Sequence, residues 1–88
     1  MTWEIRYRSS VEKDVARLPP DVRRRVLLAI ASLAENQFPP GCRKLKGAEK
    51  RYQLRIAASY RLVYSVFKED RLIEIEFIGH RKDAFRLF

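Results

Sequence analysis

The stretch SYRLVYSVFKEDRLIEIEFIGHRKDAF, residues 59–85, decides the fold, because apolar side chains alternate with others along two successive segments. The alternation covers roughly residues 59–67 and 71–78, and a period of two is typical of β-strands. The charged segment Lys-Glu-Asp-Arg at 68–71 lies between them and predicts the turn of a hairpin. A basic, polar cluster, Gly-His-Arg-Lys-Asp at 79–83, follows the second strand, and its cations need an explanation beyond the scaffold.

Two more strands are predicted before this hairpin. Residues 2–8 alternate apolar and charged side chains, which predicts a first strand. Residues 51–57 alternate in the same way, and they predict a strand that forms a hairpin with the strand after it. The segment NQFPPGCRKLKGAEK, residues 36–50, is rich in proline and glycine and predicts a loop.

Two helices are predicted between the first strand and the loop. Ser9 and Glu12 have the spacing of a capping box, which indicates the start of the first helix. Pro19 ends this helix, and Pro20 suits the first turn of the second, where no amide donor is needed. The second helix is predicted to bury an apolar stripe formed by Val22, Val26, Ile30, Leu33 and Ala34.

The order β-α-α-β-β-β groups the helices together and the last strands together, which is typical of an α+β fold. We expect two N-terminal helices packed on a mainly antiparallel four-stranded sheet, with room for a short C-terminal helix. A chain of 88 residues is long enough for one modest core, so residues 1–88 are expected to form a single domain.

The composition excludes several classes of protein and site. The chain has one cysteine and one histidine, so we expect neither an internal disulfide nor a clustered metal site, and no cofactor. It has no apolar run long enough to span a membrane, and charged residues interrupt its N-terminus, which is unlike a signal peptide. We therefore expect a cytoplasmic protein.

The formal net charge is +8, and the positive charge gathers in residues 43–61 and 80–86. Such a field attracts phosphate backbones or acidic partners. The alternative is a solvated surface that keeps the protein in solution. Because the charges cluster rather than spread, we favour nucleic acid or an acidic protein as the partner.

Two arginines face each other if the first hairpin turns around Ala58, because Arg55 then lies opposite Arg61. Like charges directly opposite on one face of a sheet are destabilising, so a purely structural role for both arginines is unfavourable. An anion held between the two side chains would convert this repulsion into attraction. A one-residue slip would instead place the arginines on opposite faces.

The second hairpin brings further cations to the same end of the sheet. If it turns within residues 69–70, Ile78 lies opposite Arg61. His80 and Arg81 then continue past the strand end and lie next to the turn of the first hairpin. The sequence therefore predicts that three arginines and a histidine converge at one end of the sheet, far from the turn at residues 68–71.

These side chains suit a phosphodiester substrate. Guanidinium groups bind phosphate oxygens in a bidentate manner, and fixed cations stabilise the negative charge that grows as phosphorus is attacked. His80 is expected to titrate near neutral pH, so it can transfer a proton. Structural roles remain alternatives: Arg61 can pair with Glu74 or Glu76, and His80 can simply end the strand.

Three segments resemble the RelE/ParE superfamily of toxins from type II toxin–antitoxin modules. They are VARLPPDVRRRV at 15–26, RKLKGAEKRYQLRIAASYRLVYSV at 43–66 and IGHRKDAFR at 78–86. They occur in the family's order and cover most of the chain, and the series Leu-x-Gly, Tyr-x-Leu-Arg, Tyr-Arg-Leu-Val-Tyr and Gly-His-Arg is similar to the RelE branch. The resemblance implies a compact toxin with two N-terminal helices on an antiparallel sheet, in agreement with the predicted elements.

The resemblance also implies an activity. Toxins of the RelE branch are endoribonucleases that enter the ribosomal A site and cut the codon there, by attack of the ribose 2′-hydroxyl on the adjacent phosphate. By similarity, Arg61 and Arg81 stabilise the transition state and Arg55 is a functional basic residue, while His80 completes the candidate catalytic set. Contacts with ribosomal or messenger RNA are then expected from Arg43, Lys44, Lys46, Lys50, Arg51, Lys82, Phe85 and Arg86.

Two positions depart from the pattern of the family. Phe85 stands where many active relatives carry tyrosine, and Gln53 stands where some carry a lysine. A phenyl ring can stack on a base but cannot transfer a proton. Two alternatives therefore stay open: a ParE-like, non-enzymatic inhibitor of DNA gyrase, and a weakly active homologue that acts mainly as the partner of an antitoxin.

Each of these functions implies a cognate antitoxin. We expect a RelB-like, acidic and helical segment that covers exposed toxin surface. The apolar end AFRLF, residues 84–88, either packs on the sheet as a last helix or is displaced by that antitoxin. The expected partners are thus the antitoxin, the ribosome and messenger RNA, with no membrane.

Overall fold

The computed structural model describes residues 2–88, and Met1 lies outside the described residues. The predicted α+β class is confirmed, and the C-terminal helix that the sequence allows is present. No helix among the described residues is long and apolar enough to cross a membrane. The elements are β1 (Glu4–Tyr7), α1 (Val11–Ala16), α2 (Pro20–Glu35), β2 (Cys42–Lys44), β3 (Arg51–Ile56), β4 (Tyr60–Phe67), β5 (Leu72–His80) and α3 (Arg81–Leu87).

One sheet carries five strands in the order β1-β5-β4-β3-β2. The prediction of four strands is wrong, because Cys42–Lys44, in the segment predicted as a loop, pairs with β3. A strand of 3 residues is too short to show alternation, and the proline and glycine before it indicate a loop. β1 pairs in parallel with β5 and the other pairings are antiparallel, so the sheet is mainly antiparallel, as predicted.

The start of α1 differs from the prediction, because the capping box expected at Ser9 does not form. Ser10 is the N-cap residue, its backbone is already helical (φ −69°, ψ −17°), and no side chain caps the helix. The Val11 N–H instead donates to the Arg8 carbonyl oxygen at 3.0 Å, which satisfies one donor of the first turn. Pro20 is the first residue of α2, as predicted.

The two N-terminal helices cover one face of the sheet, here called the helix face. Val26 and Leu33 of α2 share a buried cluster with Leu62 and Tyr64 of β4. Burial of each such side chain contributes about 1.5–3 kcal/mol by removing apolar surface from water. The remaining strand positions that point to this face complete the core with Leu54, Ile56, Val66, Ile73, Ile75 and Ile78.

The opposite face of the sheet, here called the outer face, carries Arg61 and Val63 of β4, and α3 covers part of it. Ala84 of α3 is buried, and so is Val63. Beyond the helix, the Phe88 ring lies 5.9 Å from the Phe77 ring of β5. The apolar end of the chain therefore packs on the sheet, and β4 is covered on both of its faces.

The register between β4 and β5 differs from the prediction near the arginines. Tyr64 pairs with Ile75, as the predicted turn requires, but a β-bulge follows, and Arg61 faces Gly79. Glu76 is the extra residue, since consecutive pairs use its two neighbours in β5. A bulge leaves one residue unpaired and reverses the faces of the residues after it. The predicted pairing of Arg61 with Ile78 is therefore wrong by one residue.

Tyr64 joins β4 to the chain after α2. Its hydroxyl donates to the Gln37 carbonyl oxygen at 2.8 Å, and its ring stacks on Tyr52 with centroids 5.9 Å apart. Burial raises the pKa of the Tyr64 hydroxyl, and the neighbouring Cys42 and Tyr52 raise it further. The folded protein therefore keeps this proton at a pH where an exposed tyrosine loses it.

Leu33→Ala should lower the free energy of unfolding by about 2–5 kcal/mol, because truncation of a fully buried leucine leaves a cavity. Leu28→Ala in the same helix is the matched control. Leu28 is 67% exposed, so its truncation should change the free energy by no more than about 0.5 kcal/mol. Urea unfolding followed by circular dichroism measures both variants. Equal losses would contradict the assignment of this face of α2 to the core.

The protein should lose stability as pH rises above about 10, the ordinary pKa of tyrosine, because only the unfolded chain then releases the Tyr64 proton. Below that pH the contribution is fully present. In Tyr64→Phe the free energy of unfolding should fall less above about pH 10. Below that pH it should lie about 1 kcal/mol under that of the parent, because the hydrogen bond is lost. Tyr7→Phe is the control, since Tyr7 is 52% exposed. Urea unfolding measures the free energy of unfolding across this pH range. Parallel curves of this free energy against pH for Tyr64→Phe and the parent would contradict the pKa shift.

Candidate nucleic-acid interface

The β3–β4 hairpin places two arginines side by side on the outer face. Arg55 pairs with Arg61, as predicted, and the chain reverses at residues 57–59. Ala57 has a φ of 54°, the left-handed backbone conformation that tight reversals use. Because Leu62 is buried in the core on the helix face, its neighbour Arg61 points to the outer face.

Arg61 is held in place by the hairpin turn. The residue is only 8% exposed, and its Nη1 donates to the carbonyl oxygens of Ala58 at 3.2 Å and Tyr60 at 2.9 Å. In the described part of the chain it forms no ion pair with Glu74 or Glu76, the structural alternative considered above. The guanidinium is therefore a fixed cation whose contacts are neutral carbonyl groups.

Three more arginines surround Arg61, and the four together are here called the arginine cluster: Arg43, Arg55, Arg61 and Arg81. Burial lowers the pKa of Arg61, and the charges of Arg55, Arg81 and Arg43 lower it further. The group still carries its charge at neutral pH, because a guanidinium group does not lose its proton in proteins near that pH. Within residues 2–88 no member pairs with a carboxylate, so the cluster concentrates uncompensated positive charge.

A shallow depression opens beside the arginine cluster. Gln53 of β3 pairs with Arg43 of β2, which brings an amide next to a guanidinium there. Sequence reasoning misses this neighbour, because without β2 nothing places Gln53 beside Arg43. Donors that converge on one depression suit an anion with several oxygens, such as a phosphate. The depression has a volume of about 270 Å³ and is lined by Gly41, Cys42, Arg43, Gln53, Arg55 and Arg61.

His80 lies near the cluster but has structural contacts of its own. It pairs with Tyr60, and the two rings meet edge to face at 5.7 Å. Its Nδ1 accepts the Lys82 N–H at 3.2 Å, so His80 caps the start of α3. The bulge places Gly79, not His80, directly opposite Arg61. Among residues 2–88, no three His, Cys, Asp or Glu side chains come together as a metal site.

Arg81 joins the cluster through the start of α3. Its backbone N–H donates to the Ser59 carbonyl oxygen at 2.7 Å, which ties α3 to the turn between β3 and β4. Phe85 follows one helical turn later, and residues four apart share a side of a helix. Phe85 is 74% exposed. The Arg81 guanidinium and the Phe85 ring therefore lie on the same side of α3, and the ring is accessible to solvent.

The other predicted RNA-contacting residues divide into two groups. The first group has ion-pair partners: Arg51 contacts Glu76 at 2.8 Å and lies over the Phe88 ring, and Arg86 contacts Asp83 at 2.9 Å. The second group is exposed and has no ion pair within the described residues. It comprises Arg43, Lys44, Lys46, Lys50 and Lys82.

Sequence reasoning also misses a buried carboxylate on the outer face. Glu76 is 5% exposed, and its Oε1 lies 2.8 Å from Arg51 Nε and 3.4 Å from Arg8 Nη2. The Ser65 hydroxyl donates to the other carboxylate oxygen. A buried charge needs such partners, because its loss of hydration is costly. The sequence gives no signal for this role, since Ile73, Ile75 and Phe77 alternate with polar residues without a break across Glu76.

Comparisons with known proteins agree on one group of toxins. A family model described as the ParE toxin of type II toxin–antitoxin systems, parDE, matches residues 5–85. A toxin candidate named RelE1 from Methanocaldococcus jannaschii is 30% identical over 89 residues, which is 98% of this chain and 98% of that protein. The archaeal RelE–RelB complex from Pyrococcus horikoshii OT3 superposes with a TM-score of 0.80 at 29% identity, over 92% of this chain and 97% of the matched chain.

A further likeness concerns the fold alone. A variant of the Escherichia coli toxin RelE, solved in the free state, superposes with a TM-score of 0.80 at 22% identity. The superposition covers 97% of this chain and 90% of the matched chain. The five-stranded arrangement with its helices is therefore shared at an identity too low to carry residue roles.

Arg55→Gln should preserve the free energy of unfolding or raise it by about 0.2–1 kcal/mol at low salt, because it removes one of two like charges that face each other. The gain should shrink with added salt, since screening already weakens the repulsion. Arg25→Gln at an exposed position of α2 is the control and should change little at any salt. Urea unfolding at low and high salt measures both variants. A loss of stability confined to Arg55→Gln would mean that an attractive contact holds this arginine.

Proposed function

Because the chain belongs to the ParE toxin family of type II toxin–antitoxin systems, within the RelE/ParE superfamily, we propose that it is a ribosome-dependent endoribonuclease that cuts messenger RNA in the A site. The arginine cluster is the observation that carries the proposal. A buried, fixed Arg61 with three like-charged neighbours is unfavourable in the free protein and favourable only beside a polyanion. The RelE name of the M. jannaschii relative supports the same branch.

The proposed reaction begins with attack of the ribose 2′-oxygen on the adjacent phosphorus. The new O–P bond forms as the bond to the 5′-oxygen breaks. The 2′-hydroxyl gives its proton to water or to His80 Nε2, and the departing 5′-oxygen takes up a proton from the same source, which leaves a cyclic phosphate and a 5′-hydroxyl. Negative charge grows on the phosphate oxygens during this step, and Arg61 and Arg81 stabilise it. Arg61 is suited to this role because the Ala58 and Tyr60 carbonyls fix its Nη1, while its Nε and Nη2 make no hydrogen bond to other described residues.

Few groups near the arginine cluster can transfer a proton. His80 offers only Nε2 for proton exchange, since its Nδ1 accepts the Lys82 N–H. Phe85 contributes no proton, but its exposed ring beside Arg81 offers a surface on which a base of the codon stacks. Positioning and charge stabilisation by Arg55, Arg61 and Arg81 then supply most of the rate enhancement.

The partners follow from the surface charge and from the solved relatives. Exposed cations would contact ribosomal and messenger RNA, so the protein would act in the cytoplasm. They are Arg43 within the arginine cluster and Lys44, Lys46, Lys50 and Lys82 outside it, together with Arg51 and Arg86. The P. horikoshii relative is solved as a complex of RelE with RelB. We expect a RelB-like, acidic and helical antitoxin for this chain as well, because its formal net charge is +8.

A second candidate function is inhibition of DNA gyrase without catalysis. The matching family model is named for ParE, and two residues weaken the case for proton transfer: His80 caps α3, and Phe85 has no hydroxyl. A binding protein needs neither an acid nor a base, so these features would cost it nothing. A weakly active homologue that serves mainly as an antitoxin partner is the third outcome that an assay must separate.

Purified protein should cut a defined messenger RNA inside the A-site codon only when programmed ribosomes are present. Arg81→Ala should slow cleavage by about 10²–10³-fold, because one donor to the transition state is lost. Arg81 is exposed, so the variant should fold. Arg25→Ala, an exposed arginine of α2, is the charge-matched control and should cut at the parent rate.

The outcomes separate the candidate functions. Equal cleavage by the Arg81→Ala variant and the parent would contradict the assigned role of the arginine cluster. Absence of cuts by the parent would contradict the nuclease, and a DNA supercoiling assay with gyrase would then follow. Inhibition in that assay identifies the gyrase inhibitor, and absence of inhibition identifies the protein that acts mainly as an antitoxin partner.

A further inference from the structure

The bulge in β5 determines which side chains accompany Arg61 on the outer face. Before the bulge, Tyr64 pairs with Ile75, and after it Val63 pairs with Phe77, so Glu76 is left without a partner in β4. Without the bulge, the first half of the strand would continue in phase and place Ile78 opposite Arg61. The one extra residue thus exchanges the faces of everything that follows it.

The free energy gained by burying apolar surface is similar in these two registers. In the observed register Ile78 is 1% exposed in the core, and Phe77 lies on the outer face against Phe88. The alternative would exchange the two residues and bury a side chain of similar hydrophobicity. Some other interaction must therefore select the register.

Glu76 provides that interaction through three contacts on the outer face. Its carboxylate accepts from Arg51 Nε at 2.8 Å and from the Ser65 hydroxyl, and Arg8 Nη2 lies 3.4 Å away. Ser65 belongs to β4 and Arg51 to β3, so the bulged residue is attached to two neighbouring strands. Because the carboxylate is nearly inaccessible to water, any rearrangement that separates it from these partners is costly.

Two contacts beyond the bulge belong to the observed register. Asp14 of α1 accepts the Ile78 N–H at 3.2 Å, and a slip would turn that N–H to the other edge of the strand. Gly79 lies close beside Phe77, since a Cβ added at Gly79 would lie 2.7 Å from the Phe77 ring and the ring would have to shift. Both contacts require Phe77 on the outer face and Ile78 on the helix face.

We propose that Glu76 is a positioning residue whose carboxylate holds the bulge and so sets the phase of β5. This phase places Gly79 opposite Arg61, and it places Arg81 within the arginine cluster. The link to Arg81 is direct, because the Arg81 N–H bonds to the Ser59 carbonyl only when β5 reaches the turn in this phase. The consequence for cleavage rests on the proposed function. The consequence for register does not.

Two changes at one position separate this role from mere stabilisation. Glu76→Val keeps the length of β5 but removes the carboxylate, so the strand should slip, pair Arg61 with Ile78 and turn His80 to the outer face. Deletion of Glu76 removes the same carboxylate together with the extra residue, so β5 runs without a bulge and still pairs Arg61 with Gly79. Glu74→Val is the control, since Glu74 lies in the part of β5 whose pairing both registers share.

Cross-strand backbone NOEs from Arg61 report the register, and cleavage on programmed ribosomes reports the function. Glu76→Val should show the Arg61–Ile78 contact and lose about 100-fold in the rate of cleavage at saturating ribosomes, because Arg81 is displaced from productive geometry. The deletion variant should show the Arg61–Gly79 contact and retain the rate within about tenfold. Glu74→Val should match the parent in both measurements. A residue that only stabilised the fold would affect the substitution and the deletion alike.

Each outcome bears on the proposal. Retention of the Arg61–Gly79 contact in Glu76→Val overturns it, and so does a deletion variant that pairs correctly but cuts as slowly as Glu76→Val. If Glu76→Val does not fold, a folded and active deletion variant supports the proposal, and two unfolded variants overturn it. If the parent makes no cuts, the proposed nuclease fails on its own, and the NOEs alone decide the role of Glu76 in setting the register.

Discussion

Burial of β4 on both faces is the constraint on which the rest of the structure depends. Residues 61–66 of this central strand are all buried, with α2 over the helix face and α3 over part of the outer face. A strand enclosed in this way cannot slide without exposing a packed side chain, so it is the fixed element against which β3 and β5 pair. Arg61 is part of the same rigid strand, which explains how a guanidinium is held nearly out of solvent with carbonyl oxygens as its contacts.

Sequence patterns predict the elements whose signal is long and unambiguous. The β3–β4 register, including Arg55 opposite Arg61, follows from clean alternation around a short turn, and the buried stripe of α2 follows from helical spacing. The prediction fails at β2, which is too short to carry a period. It also fails at the bulge, because Phe77 and Ile78 are both apolar and either can be buried. What decides there is a contact of Glu76 with residues far away in the sequence, and local patterns do not contain it.

The candidate site was predicted in its charges more than in its geometry. Arg55, Arg61 and Arg81 meet as expected, whereas Arg43 joins them through a strand that the sequence does not reveal. His80 was grouped with them, yet its ring contacts Tyr60 and its Nδ1 caps α3. A scaffold of the RelE/ParE superfamily accommodates more than one target, so the chemistry of this surface, not the fold, has to identify the one that applies.

The parallel pairing of β1 with β5 determines when the sheet can be completed during synthesis of the chain. Glu4 of β1 pairs with Leu72 of β5. β1 therefore has no hydrogen-bonded neighbour in the sheet until β5 has been synthesised. Such distant contacts close slowly, and until they do the early segments are only loosely organised. Arg81 follows β5 directly, so the arginine cluster stays incomplete until β5 has been synthesised and paired. Under the function proposed above, the cleaving activity would therefore arise only after β5 has paired and Arg81 has joined the cluster.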